Sequence, residues 1–570
     1  MPRKVAFSGK QKRVQLYERN LRKAEKDATL DEGSFDIFQR NITLDPGIEL
    51  TEEFLPNVVR NSRLSTHKFV SEEEKLYSVF EKLSEEEIEF ERLKSMRPLK
   101  QLPKEALEVS TEKFDEFIDF PKRPRWSYET SKHRLETQER SYFEKWVQDV
   151  EEKHQGHQLS WFEHNLEVWR QLWRVLEISD VILIVMDIRN PLLHFPRSLY
   201  NYITKDLKKK IVGIFNKVDL VSDFTVFAWK KYFEEEFPDL RIATFSSLPK
   251  DSSLVDDTDP RYAHRVQSKK PKKTYYQPPG VKNILSVCRD TVGESGDYID
   301  WESLLAQYDD DDRKNLTSID DEISKLQQES TENQENARCL TLGFVGHPNV
   351  GKSSLINSIT RKAVASESST PGHTKHFQTI HISEKVRLCD SPGLVFPALI
   401  PKGLQIISGM YPISQAQEPF SAIRFLAEHI PLQKILGLKV PASWKTSDEM
   451  NEDEEYQWSA YSICEEFAEA RGYHTAKSAG PDVNRAANTI LRFTAEGRIL
   501  LSFKPPGFFT STKYKDLQIQ EAEEKRLAPP PQEEEEEEEE EEESQSNNYV
   551  RKNLLQGRNA FSGLSLSDTE

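Results

Sequence analysis

Three short runs in this chain, DVILIVMD (180–187), KIVGIFN (210–216) and RIATFSS (241–247), are rich in Val and Ile and carry almost no polar alternation. A strand with one wet face alternates with period two, whereas a strand covered on both faces reads as a continuous apolar run. Three more strand-like runs follow at LTLGFVG (340–346), QTIHIS (378–383) and KVRLCD (385–390). Helical patterns such as FTVFAWKKYFEEEF (224–237) lie between them. Alternation of this kind predicts an α/β domain with a six-stranded, mostly parallel sheet. In FEHNLEVWRQLWRVL (162–176), apolar and aromatic residues recur at three and four positions, which predicts a helix with one buried face and places Trp169 and Trp173 in the core.

The rest of the chain is more polar. Of 570 residues 36% are hydrophobic and 31% charged, which suits one or two packed domains joined to polar linkers and tails. Residues 1–125 read as a basic arm followed by charged helical material such as SEEEKLYSVFEKLSEEEIEFERLKSM (71–96). The α/β domain is expected over 126–400, with 249–335 a charged, proline-containing insertion that holds one short helix near 281–287. A mainly helical region follows over 401–515, and from 516 to 570 an acidic disordered tail with an unbroken run of eleven glutamates at 533–543.

Net charge is −18, yet Arg3 to Lys26 is strongly basic. Such an arm suits RNA phosphates, an import receptor or a solvated helix. The four cysteines form no C-x-x-C pair, which favours a reducing, intracellular setting over a zinc or disulfide framework. The most apolar run is far shorter than the ~20 residues of a membrane helix, and the amino terminus lacks a signal-type apolar core. The expectation is a soluble monomer of nucleus, nucleolus or cytoplasm, not secreted.

Polar motifs stand where these strands end. GHPNVGKS (346–353) fits G-x-x-x-x-G-K-[ST] and lies between a strand and a helix, the context in which backbone amides cradle phosphate. Gly346, Val350, Gly351 and Ser354 belong to this phosphate-contacting set. Lys352 is expected on the β- and γ-phosphates and Ser353 on Mg²⁺. In CDSPG (389–393), Asp390 can hold Mg²⁺ through its water shell and the amide of Gly393 can meet the γ-phosphate. Between them, STPGHTKHFQT offers Thr370, Thr374 and Thr379 as switch hydroxyls, of which Thr374 is the choice for Mg²⁺ and the γ-phosphate.

NKVD (216–219) closes the second strand. Asp219 there can accept from both N1 and the exocyclic amine of guanine, a donor pair that adenine lacks, so the ligand expected is GTP or GDP and not ATP. Asn216 would brace neighbouring loops and Lys217 would lie along the base. At the next strand end an amide of Ser246 or Ser247 can meet the guanine carbonyl. The motifs therefore run guanine box, serine box, phosphate loop, switch threonine, DSPG. A sheet tolerates such a reordered chain wherever the old termini can be bridged.

With DIRNP (187–191), NKVD, GHPNVGKS, TPGHT and DSPGL in this order, residues 140–510 resemble the circularly permuted GTPases of the YlqF/YawG type. The resemblance implies a P-loop GTPase fold in permuted order, GTP hydrolysis at a low intrinsic rate, and service to ribosome assembly through pre-ribosomal particles or rRNA. It also implies that Leu394, where many GTPases carry a water-orienting glutamine, leaves that role to another group. Asn349 occupies the position used to hold K⁺ in potassium-stimulated members; its alternative role is to brace the loop turn. The competing reading is a nucleotide-dependent protein-interaction module with negligible hydrolysis and no RNA role.

Overall fold

The computed structural model describes residues 78–110, 118–127, 129–154, 159–248, 280–308, 339–362, 364, 378–441, 456–475 and 480–527, all within one compact unit. Its centre is a six-stranded sheet of β1 (Val181–Asp187), β2 (Lys210–Asn216), β3 (Arg241–Phe245), β4 (Leu340–Val345), β5 (Gln378–Ser383) and β6 (Val386–Asp390). The spatial order is β3-β2-β1-β4-β6-β5, with every pairing parallel except β5 on β6. All six expected strands are present, each within a residue or two of its sequence run.

Strand β1 shows why the apolar runs form this sheet. Val181, Leu183 and Val185 face one core, Ile182, Ile184 and Met186 the other, and all are fully buried. The first core is closed by Ile284, Leu285, Leu355 and Ile356. The second is closed by Trp169, Trp229 and Phe233, and continues into Ile423, Phe467 and Ile490 of the later helices. Each such side chain contributes roughly 1.5–3 kcal/mol by leaving water. The helix expected over 162–176 spans Leu166–Ile178, capped by Asn165, whose side chain accepts from the Glu167 amide; Trp169 and Trp173 are buried as expected.

Three parts of the polar remainder differ from their sequence reading. The interval 249–335 contains a core helix longer than expected, Val281–Val292, whose Val281, Ile284, Leu285, Cys288 and Val292 seal one face of the sheet. In the described part of the charged stretch, 78–96, the helix occupies Glu85–Ser95, behind a Ser84–Glu87 capping box. After it the chain runs as a strap interrupted by one short helical turn at Lys104–Leu107: Leu99 N–H donates to Trp458 O at 2.8 Å, and Val109 N–H donates to Lys504 O at 3.0 Å. The Glu108 carboxylate accepts from the amides of Gly507, Phe509 and Thr510, binding this strap to the PPGFFT turn. Finally, the helix Lys513–Leu527 runs through the boundary expected at 516. The basic arm and the glutamate run lie outside the described residues.

Among the described residues no helix is long and apolar enough to cross a membrane.

Candidate nucleotide site

Chain order along the sheet reverses between β1 and β4: from β1 the chain winds outward through β2 to β3, then returns to β4 and winds out the other way. Ligands of open α/β sheets bind in the crevice beyond the strand carboxyl ends at such a reversal. Beyond β4 lies GHPNVGKS, beyond β2 NKVD, beyond β6 DSPG, and beyond β3 the serine pair.

The guanine and phosphate motifs are bonded to each other. Asn216 Nδ2 donates to Val350 O at 2.6 Å, which is the bracing expected of it. Gly351, with φ of +99°, passes so close that a Cβ there would sit 2.1 Å from Asn216 Nδ2. It caps the helix Lys352–Thr360, whose positive end faces the loop.

Lys352 is buried, with Nζ donating to Gly346 O at 3.0 Å and His347 O at 2.8 Å. Burial pulls its ammonium down to about 8, against the pull of the Asp390 carboxylate. Ser353 Oγ donates to Asp390 Oδ2 at 3.2 Å. Burial also raises the Asp390 carboxyl to about 6, opposed by Lys352 and by the Ser353 hydroxyl. Its Oδ1 is buried without a hydrogen-bond partner. An orphaned buried oxygen beside a serine hydroxyl is the donor set a hydrated Mg²⁺ would complete.

Gly393 presses on the phosphate loop, where an added Cβ would lie 2.7 Å from Pro348 Cα, and Leu394 N–H donates to Gly346 O at 3.3 Å. The Leu394 side chain is buried at 2% exposure and faces the core. Thr374 and Thr370 lie outside the described residues. Thr379 stands on β5, exposed, paired across from Cys389.

Ser246 Oγ shares its proton between Asp219 Oδ1 at 2.8 Å and Leu248 O at 2.6 Å, so the serine box fixes the Asp219 carboxylate. Ser247 beside it is half-buried, as is Ser354 at the start of the phosphate-loop helix. Asn349 has φ of +59°, and its Nδ2 donates to Gly409 O at 2.9 Å. The brace therefore ties the loop to the chain beyond 400. It also fixes which end of the amide is oxygen, the atom a K⁺ would need.

The residues without an assigned role in the sequence are Asp187 and Arg189 of DIRNP. Lys217 sits in the left-handed region at φ of +63°, a conformation costing a non-glycine residue roughly 1–2 kcal/mol. Its Nζ donates to Asp187 Oδ2 at 2.9 Å and to Asn349 O at 2.8 Å. Arg189 grips the same carboxylate through Nε and Nη2. Burial opposes ionisation of Asp187, but Arg189 and Lys217 overcome it and hold the carboxyl well below its ordinary range. DIRNP marked these residues only as a motif; besides each other, their partners Lys217 and Thr494 lie thirty and more positions away, beyond any local pattern.

A profile of the family described as "50S ribosome-binding GTPase" matches residues 341–440. Guanine nucleotide-binding protein-like 1 of Macaca fascicularis is 36% identical over 548 residues, spanning 89% of this chain and 86% of that protein. This chain belongs to the guanine nucleotide-binding protein-like 1 family. Large subunit GTPase 1 homolog of Mus musculus is 30% identical across 69% of this chain and 67% of that protein. Of the solved structures, GNP-bound YlqF from T. maritima aligns with 60% of this chain and 98% of its own at 17% identity and a TM-score of 0.32. In this family member the permuted motif order is built on a P-loop GTPase sheet, and the guanine box, phosphate loop and DSPG meet at one crevice.

Proposed function

We propose that this protein binds GTP and GDP with Mg²⁺, hydrolyses GTP slowly, and acts as a switch on ribosomal particles. The observation that carries the nucleotide part is the bonded circuit from Ser246 through Asp219 to NKVD, and from Asn216 to the phosphate loop. Asp219 selects guanine, Lys217 lies along the base, and the loop amides with Lys352 hold the phosphates. Ser353 and Asp390, with Thr374 outside the described residues, would hold Mg²⁺, which neutralises charge on the β- and γ-oxygens. Binding of phosphate would take Lys352 Nζ from the two loop carbonyls it now contacts.

Slow turnover is expected from Leu394, whose buried hydrocarbon side chain has no group to orient water. A K⁺ held at Asn349 would supply positive charge that helps offset this. The switching part rests on the chain just beyond Gly393. Residues 395–405 are bonded to 160–163: Ser160 N–H donates to Ala398 O, Glu163 N–H to Val395 O, and the Gln405 amide pairs with both backbone groups of Trp161. Loss of phosphate contact at Gly393 would be felt along this seam and in the helices beyond it.

The ribosomal part is supported by the family description "50S ribosome-binding GTPase" and by the relative named large subunit GTPase 1 homolog. The basic arm suits rRNA contact or import to the nucleus.

The test is nucleotide binding and turnover by the full chain, in K⁺ and in Na⁺, with and without ribosomal subunits. Asp219→Asn is expected to erase the preference for GTP over ATP, and K⁺ with subunits to raise turnover. Capture on the protein loaded with non-hydrolysed GTP analogue should bring down ribosomal RNA; none in the capture would overturn the ribosomal part alone.

A further inference from the structure

Resting on the nucleotide reading above, we propose that Arg189 is a positioning residue through which the helices beyond residue 400 hold Lys217 against the base and so govern release of nucleotide. Arg189 is buried, and its guanidinium is divided between two parts of the fold. Nε and Nη2 fork onto Asp187, at 3.0 Å to Oδ1 and 2.7 Å to Oδ2. Nη1 donates to Thr494 O at 2.7 Å, in the last turn of the helix Val483–Ala495. Thr494 O also accepts from Gly497 N–H at 3.1 Å just past the helix end, and it lies at the negative end of the helix dipole, where a guanidinium is well placed as a second donor. The backbone closes the same contact, with Phe503 N–H donating to Arg189 O at 2.7 Å.

On the other side of Asp187, Lys217 has its backbone in a left-handed turn and its ammonium aimed by two acceptors, Asp187 Oδ2 and Asn349 O. A shift of the helix Val483–Ala495 moves Arg189, hence the carboxylate, hence Lys217. Two further contacts reach the site from the same region. Gly497 lies against Leu220, the residue after NKVD, where an added Cβ would be 2.8 Å from Leu220 Cδ2. Asn349 of the phosphate loop donates to Gly409 O. The nucleotide crevice is thus gripped from beyond residue 400 at both its base and its phosphate ends.

The test loads the full-length protein with mant-GDP and follows release on adding excess GDP, for wild type, Arg189→Met and Arg189→Lys. Arg189→Met is expected to release about tenfold faster, within the ordinary range of coupling between linked sites. Arg189→Lys, which keeps charge but not the fork, should lie between. The distinguishing arm is a double-mutant cycle. Because Arg189 acts through Lys217, Arg189→Met should add nothing in a Lys217→Ala background, whereas a merely structural role would add in full. Mant-IDP should be released faster by the same factor as mant-GDP, since the Ser246 hydrogen bond that fixes Asp219 is kept.

By linkage, GDP should slow hydrogen exchange at the Phe503 amide in wild type, and the slowing should be lost in Arg189→Met and reduced in Arg189→Lys. Additive effects in the cycle, or GDP protection of Phe503 that survives both substitutions, would overturn the proposal. Normal wild-type binding with unchanged release from both variants would overturn this relay alone; failure of wild type to bind mant-GDP would overturn the nucleotide reading and this one together.

Discussion

The side chain of Asn216 donates to the carbonyl of Val350 at 2.6 Å, joining residues 134 positions apart in the chain. The guanine box and the phosphate loop are thus one rigid object, although the chain makes them at different times. Asn216→Ala would leave a buried carbonyl without this partner, a loss of ~1–3 kcal/mol. It should weaken GTP and GDP equally and lower thermal stability. Titration with both mant-nucleotides and a melting curve measure this; weakening confined to GTP would contradict the bracing role.

Gly393→Ala should separate binding from turnover. The new Cβ would meet Pro348 Cα at 2.7 Å and its amide nitrogen at 2.8 Å, and backbone atoms cannot swing aside. Relief requires the DSPG turn to back away from the phosphate loop, and with it from the proposed γ-phosphate position. GDP affinity is expected to stay within a few fold while GTP hydrolysis is lost, which single-turnover kinetics will show.

Metal dependence should titrate with Asp390. Burial raises its carboxyl from the ordinary 3.8 to about 6, so the nucleotide-free native state holds a proton more tightly than the unfolded chain. Its contribution to stability is present in full below pH 3.8 and is lost as pH rises through about 6. Mg²⁺ needs the opposite, charged form. The tightening of GDP by Mg²⁺ should therefore fade as pH is lowered through about 6, and Asp390→Asn should remove both the tightening and its pH dependence. Fluorescence titration with and without EDTA across that interval is the measurement.

Leu394→Gln should not create a fast GTPase. The side chain is 2% exposed and packed in the core, so the substitution buries an amide at a cost of about 1–3 kcal/mol. A lower melting temperature with no gain in turnover is expected. A large rise in turnover would show that this position reaches the water after all.

The sheet was legible because strands buried on both faces leave uninterrupted apolar runs, and the pocket because its motifs stand at strand ends. The helix Val281–Val292 was underread because its apolar positions are interrupted after Cys288 by Arg289, Asp290 and Thr291, and lysine-, proline- and acid-rich stretches flank it. The strap near Glu108 had no local signal at all, since the amides it caps lie about four hundred positions on. Asp187 and Arg189 were visible as letters of a motif, but their work is defined by Lys217 and Thr494, which only the folded chain brings near. Thr374 falls outside the described residues, so its place among the switch hydroxyls rests on the sequence.

The order of strands also bears on how the protein is made. Strands β1, β2 and β3 emerge first, with the guanine box already written into them, but β4, the partner that covers the inner edge of β1, begins at Leu340, about 95 residues after β3 ends at Phe245. Nascent chain leaving the exit tunnel therefore presents three parallel strands with one long apolar edge unpaired, the arrangement most open to wrong pairing. Nucleotide cannot rescue that intermediate by mass action, because the phosphate loop and Asp390 have yet to be synthesised. For this chain, reversing the familiar order of the motifs postpones stabilisation by ligand until most of the polypeptide is complete.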